Sequence, residues 1–302
     1  MATHVTRVNL ADLTTADVGD INPDLNQAFN AINDHADDIE DLQDRVTVLE
    51  GLSSAVAVKY RLIVAPNAAT PLSKVDVDAS VLGLTNGTAW LTVQNVNLTI
   101  DITASGINGL DAGAEANNTW YSIWVIYNGA TISGLLSLSA TAPTFPAGYT
   151  YYRRVGWVHN TVADFAKFYH DYDSDLWLYD EPPSVFSAAA ATWNAAAWAT
   201  QSYATWAPTT SRRALLNVLM YHYDTGTAGQ LNYVQLRPTG STAAIGLRCA
   251  ACVNPTTLIY GACSETIEIG INATQQFDWT VNDSLTEAGS VIVYAAGYYD
   301  PI

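Results

Sequence analysis

The segment "HDYDSDLWLYDE" sets Asp171, Asp173 and Asp175 at alternate positions, as the opening of a calcium-binding loop does. Such a loop needs glycine at its sixth position and a bidentate glutamate at its twelfth, and here those places hold Leu176 and Pro182. A solvated acidic stretch is expected, with a looser oxygen-ligand site as the alternative. Cys249 and Cys252 form a C-x-x-C, and Cys263 follows eleven residues on, but a structural zinc needs a fourth ligand and no Cys or His stands near. Thiols packed on strands are the expectation. His4, His35, His159, His170 and His222 are scattered and join no nucleophile motif. Carboxylate pairs such as Asp171 with Asp180 or Glu181 suit glycoside hydrolysis only at a fixed separation across a cleft, which spacing along the chain does not set. There is no glycine-rich phosphate loop. No catalytic residue, metal or cofactor is expected.

The elements that would position these residues divide the chain sharply. In "INPDLNQAFNAINDHADDIEDLQDRVTVLEG", residues 21–51, Leu25, Ile32, Ile39 and Val46 stand seven apart, with Ala28, His35, Leu42 and Leu49 as a second series between them. Read as a and d positions, they keep one stripe facing a partner helix. Asn22 and Pro23 suit a helix start, and Gly51 a stop. The outward positions are Asp, Glu, Asn and Gln, which leaves no second apolar face. A coiled-coil oligomerisation seam is expected, because a lone helix of this length is marginal in water. His35 at a d layer is a polar residue that would cost stability while fixing register, with a trapped water or anion as its partner.

Composition limits the partners. A net charge of −17 argues against nucleic acid, whose binding relies on clustered Lys and Arg. The longest apolar runs, such as "SIWVIYNG", are too short to span a bilayer, so no membrane insertion is expected. The opening "MATHVTRVNL" has no apolar signal segment, so secretion is not expected either.

A mainly β fold is expected, in five parts: an extended arm over residues 1–20, a short coiled-coil stalk over 21–51, a first β domain over 52–172, a linker over 173–186, and a C-terminal β-sandwich domain over 187–302. Alternating or β-branched runs such as "KVDVDASVLGL" and "AWLTVQNVNLTIDI" are cut by "TNG", "NGA" and "PAG", the punctuation of hairpins. The strand "TWYSIWVIYN" is apolar on both faces and is expected to be covered twice, by its sheet partner and by a neighbouring layer or subunit. The acidic, diproline-ended "HDYDSDLWLYDEPPS" suits a linker. Alanine lends "AAAATWNAAAWATQSYATWAP" helix propensity, but Trp193, Trp198, Tyr203 and Trp206 need burial or a partner. Core or interface packing is the expectation for these four, and contact with the rings of a host glycan is the alternative. Arg153 and Arg154 are expected to meet carboxylates at a subunit contact, with a receptor phosphate as the alternative.

The run "GINGLDAGAEANNTWYSIWVIYNGATISGLLSLSATAPTFPAGYTYYRRVGWV", residues 106–158, resembles a module of bacteriophage tail-fibre and other virion-appendage proteins. The resemblance lies in residues 109–111, 116–121 and 139–150, with Arg153, Arg154 and Gly156. The second half, with "RRALLNVLMY" and "VQLRPTGS", is similar to the distal sandwich that often follows. The resemblance implies a homotrimeric fibre of the virion, joined through residues 1–20 to a capsid, neck or tail protein. Its outward β domains would contact the host surface. The alternative is a tailspike-type enzyme that degrades surface polysaccharide, but the long β-helix repeats that would favour it have no counterpart here.

Overall fold

The computed structural model describes residues 58–302 except 163, 172–173, 190–196, 225–230, 251–258 and 283–288. The arm and the stalk lie outside the described residues, as do all eight seam positions. Among the described residues every regular element is a strand, and no helix is long and apolar enough to cross a membrane. The expected β class is observed.

The first sheet contains β1 (Lys59–Tyr60), β2 (Ile63–Pro66), β3 (Lys74–Thr85), β4 (Trp90–Asp101), β5 (Gly109–Leu110), β6 (Thr119–Tyr127), β7 (Ile132–Ser137) and β8 (Tyr151–Asn160). Its order is β1-β3-β8-β6-β7-β5, with β2 and β4 also paired to β3. Two of the expected turns close hairpins by the same device. In β3–β4, Asn86 Oδ1 accepts from the amides of Thr88 and Ala89 at 2.9 and 2.7 Å, and Gly87 takes φ 87°. In β6–β7, Asn128 Oδ1 accepts from Ala130 and Thr131 at 2.9 and 2.7 Å, beside Gly129 at φ 93°. The "PAG" turn differs: β7 and β8 lie on opposite sides of β6, so it belongs to a crossing connection and not to a hairpin.

Strand β6 is covered twice, as its sequence requires, with Tyr121 to Ile126 all buried. Tyr121, Ile123 and Val125 enter the main core. Trp124 and Ile126 form a second cluster with Leu135 and Tyr149, closed by Phe145 and Tyr152. The cover is therefore the chain's own 139–150 connection. Asp111 fastens it: one carboxylate oxygen accepts from Thr144 N at 2.8 Å and from Ser137 Oγ at 2.7 Å. Ser139 O accepts from Ser122 Oγ at 2.7 Å.

The remaining strands are β9 (Phe168–Asp171), β10 (Leu176–Tyr179), β11 (Ser184–Ala189), β12 (Ala199–Ser202), β13 (Arg213–Asp224), β14 (Leu231–Pro238), β15 (Ile245–Ala250), β16 (Ile259–Gly270), β17 (Gln276–Asn282) and β18 (Gly289–Tyr299). A second sheet runs β16-β13-β18-β10-β9 with β11 also on β18, and a third runs β12-β17-β14-β15. The alanine-rich stretch does not follow its propensity at its start, because Ala188 and Ala189 pair with Val291 and Ser290 of β18.

Residues 173–186 correct the linker expectation. They contain β10 and the start of β11, and β10 pairs with β9 and β18. Among the described acidic residues, Asp175 precedes β10 and Asp180 and Glu181 follow it, while "LWLY" between them alternates and buries Trp177 completely. The boundary at 172 moves as well, since β9 joins the second sheet. Ala57–Ile302 is one compact unit, and a single hydrophobic cluster runs from Leu62 to Tyr298. The halves are separate in their sheets and joined in their core.

Candidate functional site

Among the described residues, Trp198, Tyr203 and Trp206 each have their own packing partners. Tyr203 is fully buried, and its hydroxyl donates to Gly297 O at 2.8 Å, so it offers no face to a ligand. Trp206 is half-buried and packs edge-on against Tyr179. Trp198 has one face occupied by the Arg237 guanidinium, 3.9 Å from the ring centroid, and Arg237 in turn meets Asp278 at 3.2 Å. Trp193 lies outside the described residues.

The arginine pair turns inward. Arg153 donates to Val58 O at 3.0 Å and to Gly83 O at 3.3 Å, and burial pushes its guanidinium below the ordinary arginine value. Arg154 pairs with Asp300 and also donates to Pro301 O at 3.0 Å. The carboxylate partner foreseen at a subunit contact is thus supplied from within the same chain.

The remaining chemistry-bearing residues are dispersed. Asp175 pairs with Lys59, Asp171 accepts from Ser174 Oγ at 2.6 Å, and Asp173 is outside the described residues. Among the described residues no group of three or more His, Cys, Asp or Glu could hold a metal ion. Cys249 lies on β15, Cys263 is half-buried on β16 against the core, and Cys252 is outside the described residues. His159 and His170 are buried and stacked on Trp120 and Trp177, and burial pushes both imidazoles down to about 4.

A different place gathers polar groups. One register relates Lys59 to Leu82, Tyr60 to Val81 and Ile63 to Asp78; it sets Arg61 opposite Ser80. A second relates Asp78 to Asn97, Ala79 to Val96 and Val81 to Gln94; it sets Asn95 opposite the same Ser80. Ladder pairing lapses at this row on both sides of β3. Arg61 and Asn95 there adopt left-handed backbone, φ 52° and 55°, which costs on the order of 1 kcal/mol or more for a non-glycine residue.

The inward phase slips in the same row. On β3, Val75, Val77 and Ala79 point into the core on one side of it, and Leu82 and Leu84 on the other. On β4, Val96 and Ile100 are inward on one side and Val93 on the other. A one-residue slip exchanges the two faces of a strand, so this fault brings polar residues to the outer surface from β3, from β4 and from the bend between β1 and β2. They frame a concavity of about 320 Å³, bordered by Arg61, Ile63, Asp78, Ser80, Asn95 and Asn97. The Asp78 carboxyl is held above the ordinary carboxylate value, first by burial and then by the charge of Asp76. Asp76 itself accepts from Asn67 and Thr99, whereas Asp78, Asn95 and Asn97 make no side-chain hydrogen bond among the described residues.

Sequence reasoning passed over this concavity, although its signal was present: alternation in "VDVDASVLGL" breaks at Val81–Leu82, and "TVQNVNLTI" breaks at Gln94–Asn95. No family model matches the sequence, and no curated protein matches it.

Proposed function

We propose that this chain is a structural appendage protein of a bacteriophage virion, assembled as a homotrimer. Residues 21–51 form its coiled-coil stalk. Residues 1–20 join it to a capsid, neck or tail protein, and the β body faces outward toward the host surface. One observation carries this: a heptad series without a second apolar face stands directly before a body whose described elements are all strands. A helix with only a seam to bury needs copies of itself, and closed rings are the ordinary way in which identical chains satisfy such a seam. The residues of the appendage-like module fit a structural role in this body. Asp111 fastens the 139–150 connection, Tyr149 and Phe145 pack in and against the second cluster, and Arg154 holds the residues after β18.

Sedimentation of the full-length protein should give three times the chain mass, and monomer or dimer would refute the proposal. Deleting residues 1–20 should leave a soluble trimer that no longer joins the particle. Normal incorporation of that deletion would place the anchor elsewhere.

A further inference from the structure

We propose that the concavity at the fault in the first sheet binds a saccharide, one or two rings of a surface glycan. This deepens the attachment role above and rests on it only for the origin of the sugar. The chemistry stands on the concavity itself.

Arg61 brings a cation, Asp78 an anion, Asn95 and Asn97 amides that both donate and accept, and Ser80 a hydroxyl. A phosphate would approach Asp78 with Asp76 behind it, and a metal ion would approach Arg61. A wholly apolar ligand would strip water from five polar side chains and return nothing. Neighbouring hydroxyls of a sugar ring satisfy the whole set: they donate to the carboxylate and the amide oxygens, and accept from the guanidinium and the amide NH2 groups. The C–H face of a ring matches Ile63, which is 39% exposed at the edge of the concavity. The volume, about 320 Å³, is at the lower end of the small-ligand range. Asp78 and Asn97 face each other as a paired row of β3 and β4, so the backbone that carries these two groups is set before a ligand arrives.

The test uses the full-length protein on an array of bacterial O-antigen and capsular oligosaccharides, with each hit taken to titration calorimetry. At least one glycan should bind. Asp78→Asn and Asn97→Ala should each weaken it by about tenfold or more, with sedimentation and melting as in the unaltered protein. Binding to no glycan, or binding that survives both changes, would overturn the proposal. So would displacement of the glycan by calcium or inorganic phosphate alone, which would assign the concavity to an ion. An altered sedimentation mass on Asp78→Asn would make it a subunit contact instead. A monomer that binds sugar through Asp78 and Asn97 would remove the fibre assignment and leave this site standing.

Discussion

Arg154 on β8 pairs with Asp300 at the end of the chain, joining the first sheet to the residues that follow β18. The Asp300 side chain is 0% exposed and that of Arg154 14%. The second Asp300 oxygen accepts from Thr210 Oγ1, and Thr210 Oγ1 accepts from Trp157 Nε1 at 2.9 Å. The Asp300 amide donates to Asp175 O at 3.1 Å, so the turn before β10 is held by the same network.

Removing one member of a buried pair leaves the other charge without compensation, while removing both does not. Arg154→Met should therefore destabilise the protein by about 3 kcal/mol or more in guanidinium unfolding. The Arg154→Met, Asp300→Asn double variant should lose no more than Arg154→Met alone. Additive losses would show that the two side chains do not stabilise one another.

Trp177 wedges between two glycines that differ in what they touch. A Cβ at Gly156 would stand 2.3 Å from the Trp177 ring, whereas a Cβ at Gly297 would stand 2.1 Å from the Trp177 carbonyl oxygen. Gly156→Ala and Gly297→Ala should each cost about 2 kcal/mol or more through overpacking. In a Trp177→Leu background, Gly156→Ala should lose the part of its cost that comes from the ring and keep the part that comes from its backbone, at φ 155°. Gly297→Ala should still cost its full amount, because the carbonyl oxygen at position 177 remains. Thermal unfolding of the two double variants separates these outcomes, and equal behaviour would contradict the geometry.

The pairing of Trp177 with its glycines also shows where the sequence is legible. Alternation located β3 and β4, because a half-buried strand must alternate, and the "TNG" and "NGA" turns announced themselves through Asn–Gly chemistry. The double cover of β6 was readable from its two apolar faces, but not what covers it, since Phe145 and Tyr149 return through a crossing connection. The 173–186 stretch misled because its acidic residues dominate its composition. Its alternating "LWLY" held the decisive information, and the long-range contacts that bury Trp177 leave no trace in local spacing. The concavity proposed to hold a sugar is marked by a register fault around Ser80 and Asn95 and not by aromatic residues.

Asp111 predicts a local opening and not global unfolding. Its carboxylate holds Thr144 and Ser137, which keep the 139–150 connection over Trp124 and Ile126. Asp111→Ala should cost about 1.5–3 kcal/mol, the range for hydrogen bonds to a charged group. It should also make the connection a site of protease cleavage and shift Trp124 emission toward that of a hydrated indole. An unchanged digestion pattern would mean that Phe145 and Tyr149 hold the cover without it.

The buried histidines should make the protein sensitive to acid above the range where its carboxylates titrate. His159 and His170 are 3% and 6% exposed, and burial pushes both imidazoles down to about 4 from an ordinary 6.5. Around His170, Asp175 and Asp171 oppose that shift and Lys59 adds to it, without reversing the effect of burial. Between those two values the unfolded chain binds protons that the folded chain refuses, so stability rises with pH there. It should be full above roughly pH 6.5 and fall as pH drops toward 4, by at most about 3 kcal/mol per histidine. Urea midpoints at roughly pH 7.5 and 5 should differ accordingly. His170→Phe keeps a ring against Trp177, 4.4 Å from its centroid in the native stack, and removes the proton. That variant should lose about half of the pH dependence, and His159→Phe, which keeps a ring on Trp120, should lose the other half. A variant with both changes that still weakens between pH 6.5 and 5 as the unaltered protein does would assign the acid response to other groups.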